Sequence, residues 1–358
     1  MKSIKSGLIL GSVALIAYLS LWPVEIDPVG WTPPKLPQNP NPNSALKHIE
    51  RLALNLGVGP EGISFDKEGR IYAGYKDGRI VRFGPDGKDA EVLANTGGRP
   101  WGTHASSDGR SVLVADAVKG LLRVANGQVE VLATQADGLP FKLTDDVDQA
   151  SDGMIYFTDA SSKFGIEQMM ADVMENGSHG RLMSYDPRSK KVHTLMAGLH
   201  VANGVTVGPD DAFLLVAETL QYRVMRYWLK GPKAGTSEVF VENLPGFPDN
   251  ISYNGRDGFW LALFAPRDPV LDAALPYPAV LKVFHRVPEA LRPKPAQHGR
   301  VLKLDLDGRV RADLQDADDG AYAPITSVRE VGKWLYFGSI EYPAMGRLPL
   351  PMSGATQP

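Results

Sequence analysis

The sequence predicts an all-β fold, a six-bladed β-propeller, on two observations. A small polar turn followed by a short β-rich run recurs six times, with copies opening at Gly69, Gly109, Gly153, Asp211, Gly258 and Lys333. After most copies comes a second run, opening at Gly78, Gly180, Tyr222 or Gly299, in which Arg is followed by alternating apolar residues. Alternation with period two, bounded by Gly, Asp and Pro, specifies antiparallel strands rather than helices. Repeats of about 40 residues, each supplying about four short strands, suit propeller blades, and a sandwich lacks that period.

Along the chain, the first distinct segment is the apolar run from Gly7 to Trp22, preceded by Lys2 and Lys5. Its length approaches the ~17 to 25 residues that cross a bilayer. The flanking lysines predict a cytoplasmic N-terminus and a translocated remainder, periplasmic, lumenal or extracellular. A cleaved signal peptide is the other reading, against which stands the bulky run Tyr18 to Trp22. Residues 1–24 are thus expected to be a membrane anchor. Residues 25–45, with Pro28, Pro33, Pro34, Pro37, Pro40 and Pro42, are expected to be an extended stalk without a core. The propeller should span 46–350, and 351–358 form a tail. A net charge of -3 gives no basic field for nucleic acid. The absence of cysteine removes disulfides, thiolate metal sites and thiol nucleophiles together.

Two repeats are too long. The third carries an insertion from Ser161 to His179 in which Ile166, Met169, Met170, Val173 and Met174 share one helical face. The fifth carries a Pro-rich, basic excursion from Pro266 to His298. Long insertions in repeat proteins map to loops, often on the binding face, so the helix is expected either to roof a pocket or to pack on a neighbouring blade.

The eighth residue before each of the first five turns has a restricted chemistry: Glu61, Trp101, Asp145, Asn203 and Asn250, with Asp249 beside the last. Equivalent positions in a propeller are related by rotation about its axis, so these residues should converge. Glu, Asp and Asn oxygens without His or Cys suit a hard cation, and Ca²⁺ takes them with relaxed geometry. Asp and Asn before a strand also make turn hydrogen bonds. Four oxygen ligands in register favour the metal.

The stretches Gly98-Arg-Pro-Trp-Gly, Ile155-Tyr-Phe-Thr-Asp, Ala202-Asn-Gly-Val, Leu244-Pro-Gly-Phe-Pro-Asp-Asn-Ile and the run from Val216 to Thr236 resemble the strictosidine synthase-like family, especially its membrane-anchored, adipocyte plasma membrane-associated type. The resemblance implies a six-bladed propeller within the superfamily of gluconolactonases and paraoxonases. It also implies a central Ca²⁺ held at the positions of Glu61, Asn203, Asp249 and Asn250. Asp145 stands where those relatives have Asn, and Trp101 where paraoxonases have His. Strictosidine synthases carry a catalytic Glu at the start of blade six; the matching residue is Thr326 or its neighbour, so amine–aldehyde condensation is not expected.

Other motifs add little. Gly57-Val-Gly-Pro-Glu-Gly leads into a strand rather than a helix and fails as a dinucleotide loop. No G-x-S-x-G elbow occurs. Asn176-Gly-Ser178 is a glycosylation sequon, and Lys282 to Arg300 reads as a solvated basic loop able to touch lipid headgroups. The expected activity is Ca²⁺-dependent hydrolysis of a small ester or lactone, with Asp249 or Asp145 taking the proton of the attacking water. Trp101, His104, Phe164, His200 and Thr326 are expected around the substrate. A membrane-anchored scaffold with structural Ca²⁺ is the alternative.

Overall fold

The computed structural model describes residues 2–36, 42–292 and 294–350; Pro37, Pro40 and the expected tail 351–358 lie outside the described residues. Six antiparallel four-stranded sheets form the blades. The recurrent runs are their second strands, Ile71–Gly74, Ser111–Asp116, Ile155–Asp159, Phe213–Glu218, Gly258–Pro266 and Trp334–Gly338. Their inner strands touch in a closed ring from Ile63–Phe65 through Pro100–Ala105, Thr144–Gln149, Ala202–Val207, Gly246–Tyr253 and Ser327–Val331 back to the first. Glu50–Leu52 closes the circle, pairing with Met345–Pro349 as the outer strand of blade six.

The turns explain the spacing of the repeat. Gly69, Gly109 and Gly153 have φ of 78°, 67° and 91°, the left-handed region glycine enters without steric cost, and Asp211 holds the same place at 51°. Alternation along the strands then sends apolar side chains to both faces of each blade. Six apolar clusters result, one in each gap between neighbouring blades. Phe157 and Met183 meet Leu113 and Ala115 between blades three and two, for example. Each such fully buried side chain contributes roughly 1.5–3 kcal/mol.

The N-terminal part differs from expectation. Lys2–Leu21 is a helix, α1, but among the described residues no helix is long and apolar enough to cross a membrane, so an anchor is not shown. The expected stalk is extended yet lies against the domain: Ile26 is buried with Phe164 and Ala171. Val29 N–H donates to the Glu175 carbonyl at 2.8 Å, and Trp31 N–H to the Leu275 carbonyl at 3.0 Å.

The insertion of blade three contains an α-helix, α2 (Met169–Glu175), preceded by a 3-10 turn at Ile166–Gln168, and buries a face other than the one expected. Ala171, Asp172 and Glu175 point inward, while Met169 and Met170 are exposed. The polar face is buried because Glu175 has partners: Lys163 Nζ at 2.6 Å, His179 Nε2 at 2.7 Å and the Asp27 N–H at 2.8 Å. The basic excursion of blade five is not a solvated loop. It folds into α3 (Pro269–Ala274) and α4 (Pro278–Arg286), and α4 packs on both α1 and α2. Asn176 ends α2 in the left-handed conformation with its side chain fully buried, so the fold as it stands leaves no room for a glycan on it.

Candidate metal centre in the propeller channel

Each inner strand is entered by a short loop that must be held before its first side chain can point at the axis. In three blades the acid ending the second strand does this. Asp116 accepts the Arg99 N–H at 2.9 Å, Asp159 the Leu143 N–H at 3.0 Å, and Glu218 the His200 N–H at 2.9 Å. Asp159 and Glu218 are held in turn by Arg181 at 2.7 Å and Arg223 at 2.6 Å. These acids are clamps, which accounts for their recurrence at the end of the repeat.

One to three residues beyond each clamped loop the expected ligands appear, and they converge. Gly62 N–H donates to the Trp101 carbonyl at 3.1 Å, and Thr158 Oγ1 to the Asn203 carbonyl at 2.7 Å. Asn250 N–H donates to the Thr326 carbonyl at 3.0 Å, and Thr326 Oγ1 to the Glu61 carbonyl at 3.2 Å. Glycines permit this closeness. A Cβ on Gly62 would lie 2.6 Å from the Trp101 carbonyl oxygen, on Gly102 2.5 Å from Asp146 Cα, on Gly204 2.4 Å from Asn250 Cα, and on Gly338 2.0 Å from the Glu61 carbonyl oxygen. Real Cβ atoms do not approach backbone so closely, so alanine at any of these positions would push neighbouring blades apart at the channel.

Within the ring, Asn250 Nδ2 donates to Glu61 Oε1 at 3.1 Å, to Asp249 Oδ1 at 3.2 Å and to the Thr326 carbonyl at 3.0 Å. Four buried oxygens have no hydrogen-bond partner: Glu61 Oε2, Asp145 Oδ1, Asn203 Oδ1 and Asn250 Oδ1. Unsatisfied buried polar atoms are rare in native structures, and four converging from four blades mark the place of a missing partner. Burial pushes the Glu61 carboxyl up to about 8, against the pull of Arg99. Burial, then the charges of Glu61 and Asp249, raise Asp145 well above its ordinary range, and burial with Glu61 and Asp146 does the same to Asp249. Three acids in one dry place are mutually unfavourable as carboxylates unless a cation joins them. Among the described residues no three His, Cys, Asp or Glu side chains alone make a metal cluster, and the two Asn amides complete this set. An all-oxygen donor set fits Ca²⁺.

The surroundings sort the remaining expected residues. Trp101 is buried in an apolar cluster with Leu143, Ile166, Val201 and Ile340. Thr326 backs Glu61 and Asn250 rather than facing a substrate. His104 does not join them. Its side chain faces blade three, where Nδ1 meets Asp148 Oδ1 at 2.8 Å. His200 turns away to the Asn176 carbonyl, 3.0 Å from Nδ1, and Phe164 is buried beneath Ile26. Sequence reasoning missed Arg99, which lies buried beside Glu61 and donates to the Gly59 and Ile340 carbonyls, each at 3.2 Å. It also missed Asp146, held by the Val147 and Val205 N–H groups. The glycines after Glu61, Trp101 and Asn203 were the available signal.

The comparisons agree with this architecture. Strictosidine synthase-like protein 4 of Arabidopsis thaliana is 36% identical over 313 residues, covering 85% of this chain and 83% of that protein. This chain belongs to the strictosidine synthase-like family. Residues 145–232 of this strictosidine synthase-like protein match the strictosidine synthase family, and residues 41–83 match the strictosidine synthase-like N-terminal family. The adipocyte plasma membrane-associated protein of Homo sapiens is 33% identical over 354 residues, covering 92% of this chain and 84% of that protein. Among solved structures, a gluconolactonase from Xanthomonas campestris superposes with a TM-score of 0.61 at 16% identity, covering 90% of this chain and 99% of that one. A calcium-binding protein, regucalcin, from Agrobacterium tumefaciens gives 0.58 at 17% identity, covering 84% and 91%. At these identities the likeness is one of fold.

Proposed function

We propose that the ring of Glu61, Asp145, Asn203, Asp249 and Asn250 holds a calcium ion and that the protein hydrolyses a small ester or lactone above it. The four partnerless buried oxygens carry this reading, and the fold shared with a gluconolactonase and a calcium-binding protein supports it. A bound dication polarises a carbonyl and stabilises its developing negative charge. Asp145 and Asp249 are the carboxylates placed to take up the proton of an attacking water. Trp101 and Ile166 offer an apolar contact for an acyl or aryl group. Thr326 brings no carboxylate to the ring, which leaves amine–aldehyde condensation without its acid–base group. With phenyl acetate and a lactone panel, Asp249→Ala should lower kcat/KM by at least about 100-fold while circular dichroism stays unchanged. Undiminished turnover in that variant would refute the catalytic reading.

One observation favours a scaffold with structural calcium instead. The ring is enclosed, Trp101 lies in an apolar cluster, and the cavity beside Asn250, Thr103 and Arg329 measures only about 10 Å³. Calcium content without turnover of any ester or lactone decides for the scaffold. Membrane association is part of the proposal, supported by the apolar α1 and by the plasma membrane-associated relatives. The full chain should pellet with membranes and a chain beginning at Pro23 should not; equal pelleting of both would remove α1 as the anchor.

A further inference from the structure

A second cavity lies outside the channel. It is a groove of about 310 Å³ lined by residues of blades two and three, His104 among them. Its size falls in the range of small-molecule sites, which combine apolar walls with a few placed polar groups. Leu113 and Ile155, both buried, form the floor. Arg123, Glu130 and Lys190 stand at the rim.

The charges select a ligand. Arg123 is balanced by Glu130 at 2.9 Å, and His104 is engaged through Nδ1 by Asp148. Asp148 also accepts the Gln149 and Val207 N–H groups and the Thr206 hydroxyl, so it has no capacity left for a ligand. Lys190 has no ion-pair partner among the described residues and lies on the turn between the third and outer strands of blade three. One unbalanced positive charge beside an apolar floor complements one negative charge on an apolar body. The Nε2 atom of His104 adds a hydrogen-bonding position, a donor when the ring is protonated.

We propose that this groove binds a small organic carboxylate with an apolar body, its carboxylate at Lys190 and its body on Leu113 and Ile155. A phosphate dianion would leave a charge uncompensated there. The proposal stands apart from the channel ring and from any reaction at it.

Octanoate is a suitable probe, with octanol as its uncharged counterpart, followed by ligand-observed NMR titration of the full chain. Octanoate should bind saturably with Kd of about 0.1–1 mM. Lys190→Glu, on an exposed turn, should weaken octanoate at least tenfold and leave octanol binding, weaker from the start, unaltered. Absence of saturation by ~10 mM octanoate, an unchanged Kd in Lys190→Glu, or loss of binding on calcium chelation alone would each overturn the assignment. The last outcome would place the probe at the channel ring.

Discussion

Asp145 and Asp148 lie three residues apart on the inner strand of blade three, and both are buried. Their electrostatics are opposite. Asp148 receives bonds from His104, the Gln149 and Val207 N–H groups and Thr206, and these, with the charge of Arg329, hold its carboxyl below the usual range despite burial. Asp145 has an oxygen with no partner, and burial together with the charges of Glu61, Asp249, Asp146 and Asp159 drives its carboxyl up. Burial alone therefore does not fix the state of an acid; the donors around it do. A fully partnered acid is structural, and a converging group of partnerless ones is what the proposed calcium site rests on.

The same substitution at both positions tests that contrast. Asp148→Asn removes charge-assisted bonds and should destabilise the fold by about 2 kcal/mol, lowering Tm by roughly 4–8 °C, equally with calcium and with chelator. Asp145→Asn should leave the chelated protein as stable as the parent or more so, since it removes a repelling charge. With calcium it should lose most of the stabilisation the parent gains, about 2.7 kcal/mol at a hundredfold excess over Kd. Thermal melts in both conditions read the four values. Equal, calcium-independent losses at both positions would show that the ring acids are ordinary buried carboxylates.

How far each region could be read in advance follows the same division. The ring was legible because rotation about the propeller axis turns a fixed offset in sequence, eight residues before each turn, into a fixed place in space. Glu61, Asp145, Asn203 and Asn250 needed no tertiary information beyond the repeat. His104 was misplaced for a local reason: a register shift between Pro100 and Gly102 separates it from the direction of Trp101, and alternation then points it at blade three. The insertion was misread because an apolar stripe indicates the buried face only when the neighbour is apolar. The neighbours of α2 include the backbone of residues 27 and 29, which want acceptors, and Glu175 supplies them. Nothing in the Pro-rich composition of residues 25–36 encodes that docking.

Asp172 sharpens the comparison most finely, because it is a partnerless buried acid away from the ring. Neither of its oxygens makes a well-formed hydrogen bond, and burial pushes its carboxyl up to about 7 against the weaker pull of the Ser161 hydroxyl and of the His179 and Lys163 charges. No other orphaned acid converges on it, so the remedy here is a proton rather than a cation. Its folded value lies above its ordinary 3.8, so the folded state keeps the proton longer than the unfolded chain. Stability contributed by this group is full below the ordinary value and is lost as pH rises through the folded one. Asp172→Asn, which keeps the shape of the neutral acid, should match the parent in Tm at pH ~4 and exceed it by a few degrees at pH ~8, in chelator and calcium alike. Parallel melting curves across that range would mean that Asp172 is ionised in the fold, and that a partnerless oxygen outside the ring also marks a missing cation.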